Sequence, residues 1–246
     1  MFMNKYRCIS ANSSAPARLV RFIGMMLLSC SIAPAFAQAS AVSTTAVGTG
    51  TAAAPVVYGQ IYHLQNGYTL GPGGYLDVRA SGCNGNTLCV STATVDNRDQ
   101  GSGSWMILPA DGSMKTKGDQ VSPGDFVYLI NQYPVKNISG PIDGTPGGYL
   151  DTRGQGCQSN RMCVSTSLEK NISVDSSVWE IITGDVFLTG QDVHLMNRYV
   201  DGASRTYLDI RNNNCNSNLR CVSTSTGWNR DSGSGSWRFF AAVPSP

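Results

Sequence analysis

The chain has 246 residues, with 18 Lys and Arg against 16 Asp and Glu. The basic excess sits at the start: Lys5, Arg7, Arg18 and Arg21 fall within the first 37 residues, which hold no acid, so the remainder carries 14 basic against 16 acidic residues, a net of −2. That balance argues against nucleic acid or an anionic membrane as the partner of the whole chain. Residues 1–37 are predicted to be a signal peptide: a positive start, a short apolar run from Phe22 to Ile32, and Ala35-Phe36-Ala37 as a cleavage site. The apolar run is shorter than the about 20 residues that a membrane span needs. Leu27-Leu28-Ser29-Cys30 loosely resembles a lipoprotein signal, for which Ala-x-Ala is the better-matched alternative. Residues 38–56 are uncharged Ala, Ser, Thr, Val and Gly and are expected to form a flexible linker.

From residue 57 onward the chain repeats itself. Tyr-Leu-Asp-x-Arg begins at Tyr75, Tyr149 and Tyr207; Cys-Val-Ser-Thr follows 14 residues later at Cys89, Cys163 and Cys221; a tryptophan comes 16 further on, at Trp105, Trp179 and Trp237. A leader, Gly-x-x-x-x-Leu-x-Asn-x-Tyr, precedes each copy, starting at Gly59, Gly124 and Gly190. Fixed spacings kept over three copies define an internal repeat, with units at about 57–122, 123–188 and 189–242. In the first unit strands are predicted at Ile61 to Gln65, Tyr75 to Arg79, Leu88 to Ala93 and Trp105 to Leu108, separated by glycine-rich turns. The second strand alternates, with Leu76 and Val78 on one face and Tyr75, Asp77 and Arg79 on the other. The expected fold is therefore all-β, twelve strands in antiparallel hairpins, each with one side buried.

Each repeat owns two cysteines: Cys83 and Cys89, Cys157 and Cys163, Cys215 and Cys221. An even count in an exported chain implies disulfides. A threefold pattern permits pairing within a repeat or with the next or previous one. Pairing within each repeat is expected, because the five intervening residues carry turn signals such as Asn84-Gly85-Asn86. Cys-x5-Cys without a nearby His or third thiolate is poor zinc spacing, so no metal and no cofactor are expected.

Three copies of this size resemble the β-trefoil, and more specifically the ricin-B-type lectin module, over Val57 to about Ala242. In that family each repeat opens its second strand with apolar-Asp-apolar-Arg and closes with Gln-x-Trp; here Asp77 to Trp105, Asp151 to Trp179 and Asp209 to Trp237 are each 28 apart. The residue two before each Trp is Gly103, Ser177 or Gly235 rather than Gln. The region of the family's sugar-stacking aromatic reads Val-Ser-Thr. The resemblance thus implies the frame and not the family's galactose site.

Enzyme motifs are absent. His63 and His194 occupy the same leader position, where the second repeat has Tyr128, which marks them as packed strand residues and not general bases. The candidate ligand-binding residues are Tyr75, Asp77, Arg79 and Asn86, with their copies Tyr149, Asp151, Arg153 and Asn160, and Tyr207, Asp209, Arg211 and Asn218. Tyr, Asp and Arg, expected on one outward face, offer an apolar plate, a hydroxyl acceptor and a donor, as a sugar needs. The same residues also suit bracing, with Asp and Arg pairing or holding a neighbouring turn. Arg98-Asp99 and Arg230-Asp231 precede the first and third tryptophans and have no counterpart in the second repeat, so a ligand site using them would be dead there. The expected function is a secreted or periplasmic, non-catalytic, lectin-like module binding glycans weakly at several sites. The alternative is a protein-binding trefoil, such as a toxin cell-binding subunit or an inhibitor. Its motivation is the loop of the second repeat, residues 132–146, which is longer than its counterparts.

Overall fold

The structure, a computed structural model, describes residues 53–81, 83, 86–134, 147–155, 157, 160–202, 204–215 and 218–243. The expected signal peptide, Cys30 and most of the 132–146 loop lie outside the described residues. Among the described residues twelve strands occur in chain order: β1 (Ile61–Asn66), β2 (Tyr75–Ser81), β3 (Leu88–Ala93), β4 (Trp105–Pro109), β5 (Phe126–Asn131), β6 (Tyr149–Gln155), β7 (Met162–Ser167), β8 (Trp179–Ile182), β9 (His194–Asp201), β10 (Ser204–Cys215), β11 (Asn218–Ser225) and β12 (Trp237–Ala241). The all-β expectation holds, and no helix among the described residues is long and apolar enough to cross a membrane.

Six strands form a closed ring. β1 pairs antiparallel with both β12 and β4, β4 with β5, β5 with β8, and β8 with β9; Val193, just before β9, bridges to Trp237 at the start of β12. The other six make three hairpins, β2–β3, β6–β7 and β10–β11, whose second strands also pair with one another. Registers repeat: Asp77, Asp151 and Asp209 stand opposite Ser91, Ser165 and Ser223, while Arg79, Arg153 and Arg211 stand opposite Cys89, Cys163 and Cys221. Each hairpin has a bulge directly after its arginine. Disulfides join Cys83 to Cys89, Cys157 to Cys163 and Cys215 to Cys221, with Cα separations of 4.9, 4.9 and 4.8 Å. The expected pairing within each repeat is the one found.

Alternation explains the core. Leu76, Val78, Val90 and their copies point inward, around Trp105, Trp179 and Trp237, which are fully buried. Each indole N–H donates to a carbonyl of its own repeat, Leu76, Leu150 or Leu208, at 2.9, 2.9 and 3.1 Å. The indole's one polar atom is thereby satisfied where water cannot reach it. The leader asparagines have a shared task. Asn66, Asn131 and Asn197 donate to carbonyls of the turn just before a tryptophan, that of the third, first and second repeat respectively, and accept the amide of Tyr68, Tyr133 or Tyr199.

Two expectations need correction. β3 and β7 are buried along their whole length on both faces, not on one, because the outer face of each hairpin is covered by the neighbouring repeat. The last residues of the expected linker also belong to the fold. Val56 is fully buried, its amide donates to Phe187 O and its carbonyl accepts from Val121, and Pro55 bridges to Leu188.

Candidate binding clefts and the braced aspartates

Asp77, Asp151 and Asp209, expected to face outward, are fully buried. Their side chains do leave the core on the outer face of the hairpin, but the turn of another repeat closes over them. Asn86 of the first repeat donates to Ser165 Oγ (2.8 Å) and Asp151 (3.4 Å) of the second. Asn160 of the second does the same to Ser223 (2.8 Å) and Asp209 (3.4 Å), and Asn218 of the third to Ser91 (2.8 Å) and Asp77 (3.1 Å). The three contacts form a directed cycle in which each repeat holds the next. Three of the four residue types singled out per repeat are thus accounted for by position: Asp and Asn meet across a repeat boundary, and Arg79, Arg153 and Arg211 stay partly exposed beside them. The bracing alternative describes the Asp and Asn side chains. Their oxygens and amides are already used.

The arginines that pair with two of these aspartates are not those two residues along the strand. Arg98 Nη2 reaches Asp77 at 3.0 Å and Arg230 Nη2 reaches Asp209 at 2.8 Å, each from the turn before the tryptophan. Ser102 and Ser234 add hydroxyl donors at 2.6 and 2.8 Å. The second repeat lacks this arginine. There Ser176 and Ser177 both donate to Asp151 Oδ2, at 2.6 and 2.7 Å. Burial pushes the Asp151 and Asp209 carboxyls above the usual carboxylate range. Opposing it are the bonds from Ser176, Ser177 and Asn86 and the charge of Arg153 at Asp151, and the bonds from Ser234, Arg230 and Asn160 at Asp209.

These turns also explain the missing glutamine before each tryptophan. A Cβ at Gly103 or Gly235 would collide with the backbone carbonyl of Asp96 or Trp228. The second repeat accommodates Ser177 and uses its hydroxyl on Asp151.

What remains open to solvent in the first repeat is a groove between the leader ring and the first tyrosine of the motif. In the first repeat His63, Tyr75, Asp96 and Phe240 line a groove of about 390 Å³. His63 Nδ1 lies 3.0 Å from Gly103 O and His194 Nδ1 lies 2.8 Å from Gly235 O. A carbonyl only accepts, so Nδ1 carries a proton, and in the neutral ring Nε2 is the acceptor. In the second repeat the ring is Tyr128, packed edge-on against Tyr149 at 5.5 Å, with Lys170 Nζ over both rings at 5.2 and 5.8 Å. In the third repeat His194 lies 5.0 Å from the ring of Trp228, which is 57% exposed. Asp96, Lys170 and Trp228 are equivalent, each nine residues before its core tryptophan. One scaffold thus presents an acid, a base and an aromatic plate at the same place in three repeats.

Sequence reasoning missed Trp228. The available signal was arithmetic: the chain has four tryptophans, and only three fall at repeat positions.

No protein-family model and no curated protein matches the sequence. Solved structures do match in fold. The chain is similar to a Caenorhabditis elegans protein described as having unknown function, with a TM-score of 0.58 and 20% identity over 79% of this chain and 100% of that one. It is similar to the SDF2-like protein from Arabidopsis thaliana, with a TM-score of 0.52 and 15% identity over 78% and 98%. It is also similar to the binding domain of botulinum neurotoxin serotype D, with a TM-score of 0.51 and 12% identity over 77% of this chain and 43% of that one. Identities this low establish a shared all-β fold and nothing finer.

Proposed function

We propose that the chain is an exported β-trefoil of three four-stranded repeats, acting as a non-catalytic, lectin-like module. In this reading it binds glycans principally through the exposed ring of Trp228 in the third repeat. The observation that carries it is Trp228, a large apolar ring kept at the surface against His194. Exposing an indole forfeits burial that a core position would reward, and an indole face is the surface on which the C–H face of a sugar ring stacks. Beside it, Nε2 of His194 is available to a hydroxyl, with Nδ1 already held by Gly235 O. The first repeat offers the same frame with Asp96 in place of the plate, a weaker subsite that hydrogen-bonds without stacking. In the second repeat Lys170 already occupies the rings of Tyr128 and Tyr149, so that position is closed. One good and one weak subsite give modest affinity, strengthened by avidity on a dense glycan surface.

The test is a glycan array followed by calorimetry on oxidised protein lacking residues 1–37. The proposal expects a neutral hexose-containing glycan to bind and Trp228→Ala to lose at least about tenfold in affinity, the equivalent of 1.4 kcal/mol. An array blank at high protein density, or a Trp228→Ala variant that binds as well as the parent, refutes it. The runner-up reading, a protein-binding trefoil, is favoured by the long second-repeat loop at residues 132–146. It predicts that deleting that loop abolishes capture of a protein partner while leaving Trp228-dependent glycan binding intact.

A further inference from the structure

Charge on this chain is segregated. The three hairpin segments 79–92, 153–166 and 211–224 contain Arg79, Arg153, Arg161, Arg211 and Arg220 and not one Asp, Glu or Lys. Three of these arginines are copies of one position, the residue opposite the second cysteine of each stapled turn. Since Leu76 and Val78 and their copies fill the core, the residues alternating with them point to the outer face of the cap made by the three hairpins. On that face β3, β7 and β11 pair around the pseudo-threefold axis. Arg79, Arg153 and Arg211 stand one strand further out, partly exposed.

Two aspects of their surroundings decide what they can do. The cations that neutralise buried carboxylates are others: Arg98 pairs with Asp77 and Arg230 with Asp209. None of the ion pairs among the described residues involves Arg79, Arg153 or Arg211. Asp77 and Asp209 thus have cations of their own, so Arg79 and Arg211 add positive charge to the outer face. Arg153 does act on Asp151, holding its carboxyl down against the effect of burial, so one member of the triad has a share in the brace.

We infer that this outer cap face is an anion-recognition surface for a sulfated glycan, with Arg79, Arg153 and Arg211 as its cationic contacts. Guanidinium groups bind sulfate oxyanions through paired N–H donors, and three of them spaced by the repeat match a ligand with several sparse anionic groups. The acidic remainder of the domain disfavours an extended polyanion of high charge density. This choice separates a sulfated glycan from a nucleic acid. The surface does not include Trp228, so the two stand or fall separately.

The experiment uses the oxidised mature protein and measures affinity by calorimetry or thermophoresis for a chondroitin sulfate hexasaccharide. Neutral maltohexaose and a short DNA duplex serve as comparison ligands. The variant is Arg79→Gln with Arg153→Gln and Arg211→Gln, checked by circular dichroism and melting temperature. The inference expects the sulfated sugar to bind at low salt and to be released by about 0.5 M NaCl, where the Debye length is only a few ångströms. It expects the triple variant to lose about tenfold or more in affinity, since it removes all three exposed charge contacts, and Trp228→Ala to bind the sulfated sugar like the parent. It is overturned if the parent does not bind, if the triple variant melts normally yet binds like the parent, or if the DNA duplex binds as tightly as the sugar. If the triple variant fails to fold, Arg79→Gln with Arg211→Gln, which spares the arginine beside Asp151, must still show reduced affinity.

Discussion

Removing Arg230 tests whether the buried aspartates are held by local charge or by the fold around them. In Arg230→Ala the carboxylate of Asp209 stays fully buried but loses a charge-assisted bond of 2.8 Å. Ile210 O loses its donor at 3.1 Å. Breaking one side of a buried ion pair costs about 3–5 kcal/mol. The arginine side chain is 26% exposed, so water can follow it in, and a loss below that range, about 2–3 kcal/mol, is the expectation. For a domain of about 190 residues that lowers the melting temperature by roughly 4–12 °C. The assay is calorimetric melting of disulfide-intact protein at neutral pH, beside a loop exchange. In the exchange residues 226–236 are replaced by the sequence of 168–178, which has the same length and brings the two serines that hold Asp151. The exchange is expected to recover most of the loss, because two hydroxyls replace the guanidinium as they do in the second repeat. If Arg230→Ala melts within a degree of the parent, or if the exchanged loop is as unstable as the single variant, the account of the brace is wrong.

Asp151 should also give the domain a measurable pH dependence. Its folded-state carboxyl is raised above the unfolded value, so the native state binds more protons in the window between the two, and stability rises as pH falls through the raised value and levels off below about 3.9. Asp151→Asn should flatten that rise in denaturant melts taken across the acid range; the difference from the parent separates it from Asp119, whose lowered carboxyl works in the opposite direction. Trp179→Ala should cost about 3–5 kcal/mol in denaturant unfolding, since a fully buried indole leaves a cavity and orphans Leu150 O. Gly235→Ala should destabilise the third repeat and weaken Trp228-dependent glycan binding together, because the new Cβ meets the Trp228 carbonyl; unchanged melting with unchanged binding would refute the close approach.

The strands were legible because spacing alone carries them. Period-two alternation at Leu76 and Val78, the Cys-Val-Ser-Thr run and the tryptophans located all four strands of a repeat to within a residue or two. Alternation reports which face a residue takes and says nothing of what covers that face. Asp77 reads as solvent-facing in its own hairpin and is sealed by Arg98 and Ser102 of a later turn and by Asn218, 141 residues away. The same blindness hid the role of Arg98, a turn residue whose partner lies 21 residues earlier on β2. Trp228 escaped for the opposite reason. A reading built on what is copied three times passes over the residue that differs among the copies, and at this position the copies are Asp96, Lys170 and Trp228.

The pairing of β1 with β12, with His63 opposite Phe240, places the beginning and the end of the domain side by side. A short linker could therefore join residue 243 to residue 53, keeping the buried Val56 and the bridge from Pro55 to Leu188, and the chain could be opened instead between repeats, near Gly184, with the strand pairings retained. Cyclic rearrangement of this kind would show which third must be made first for the other two to fold upon it.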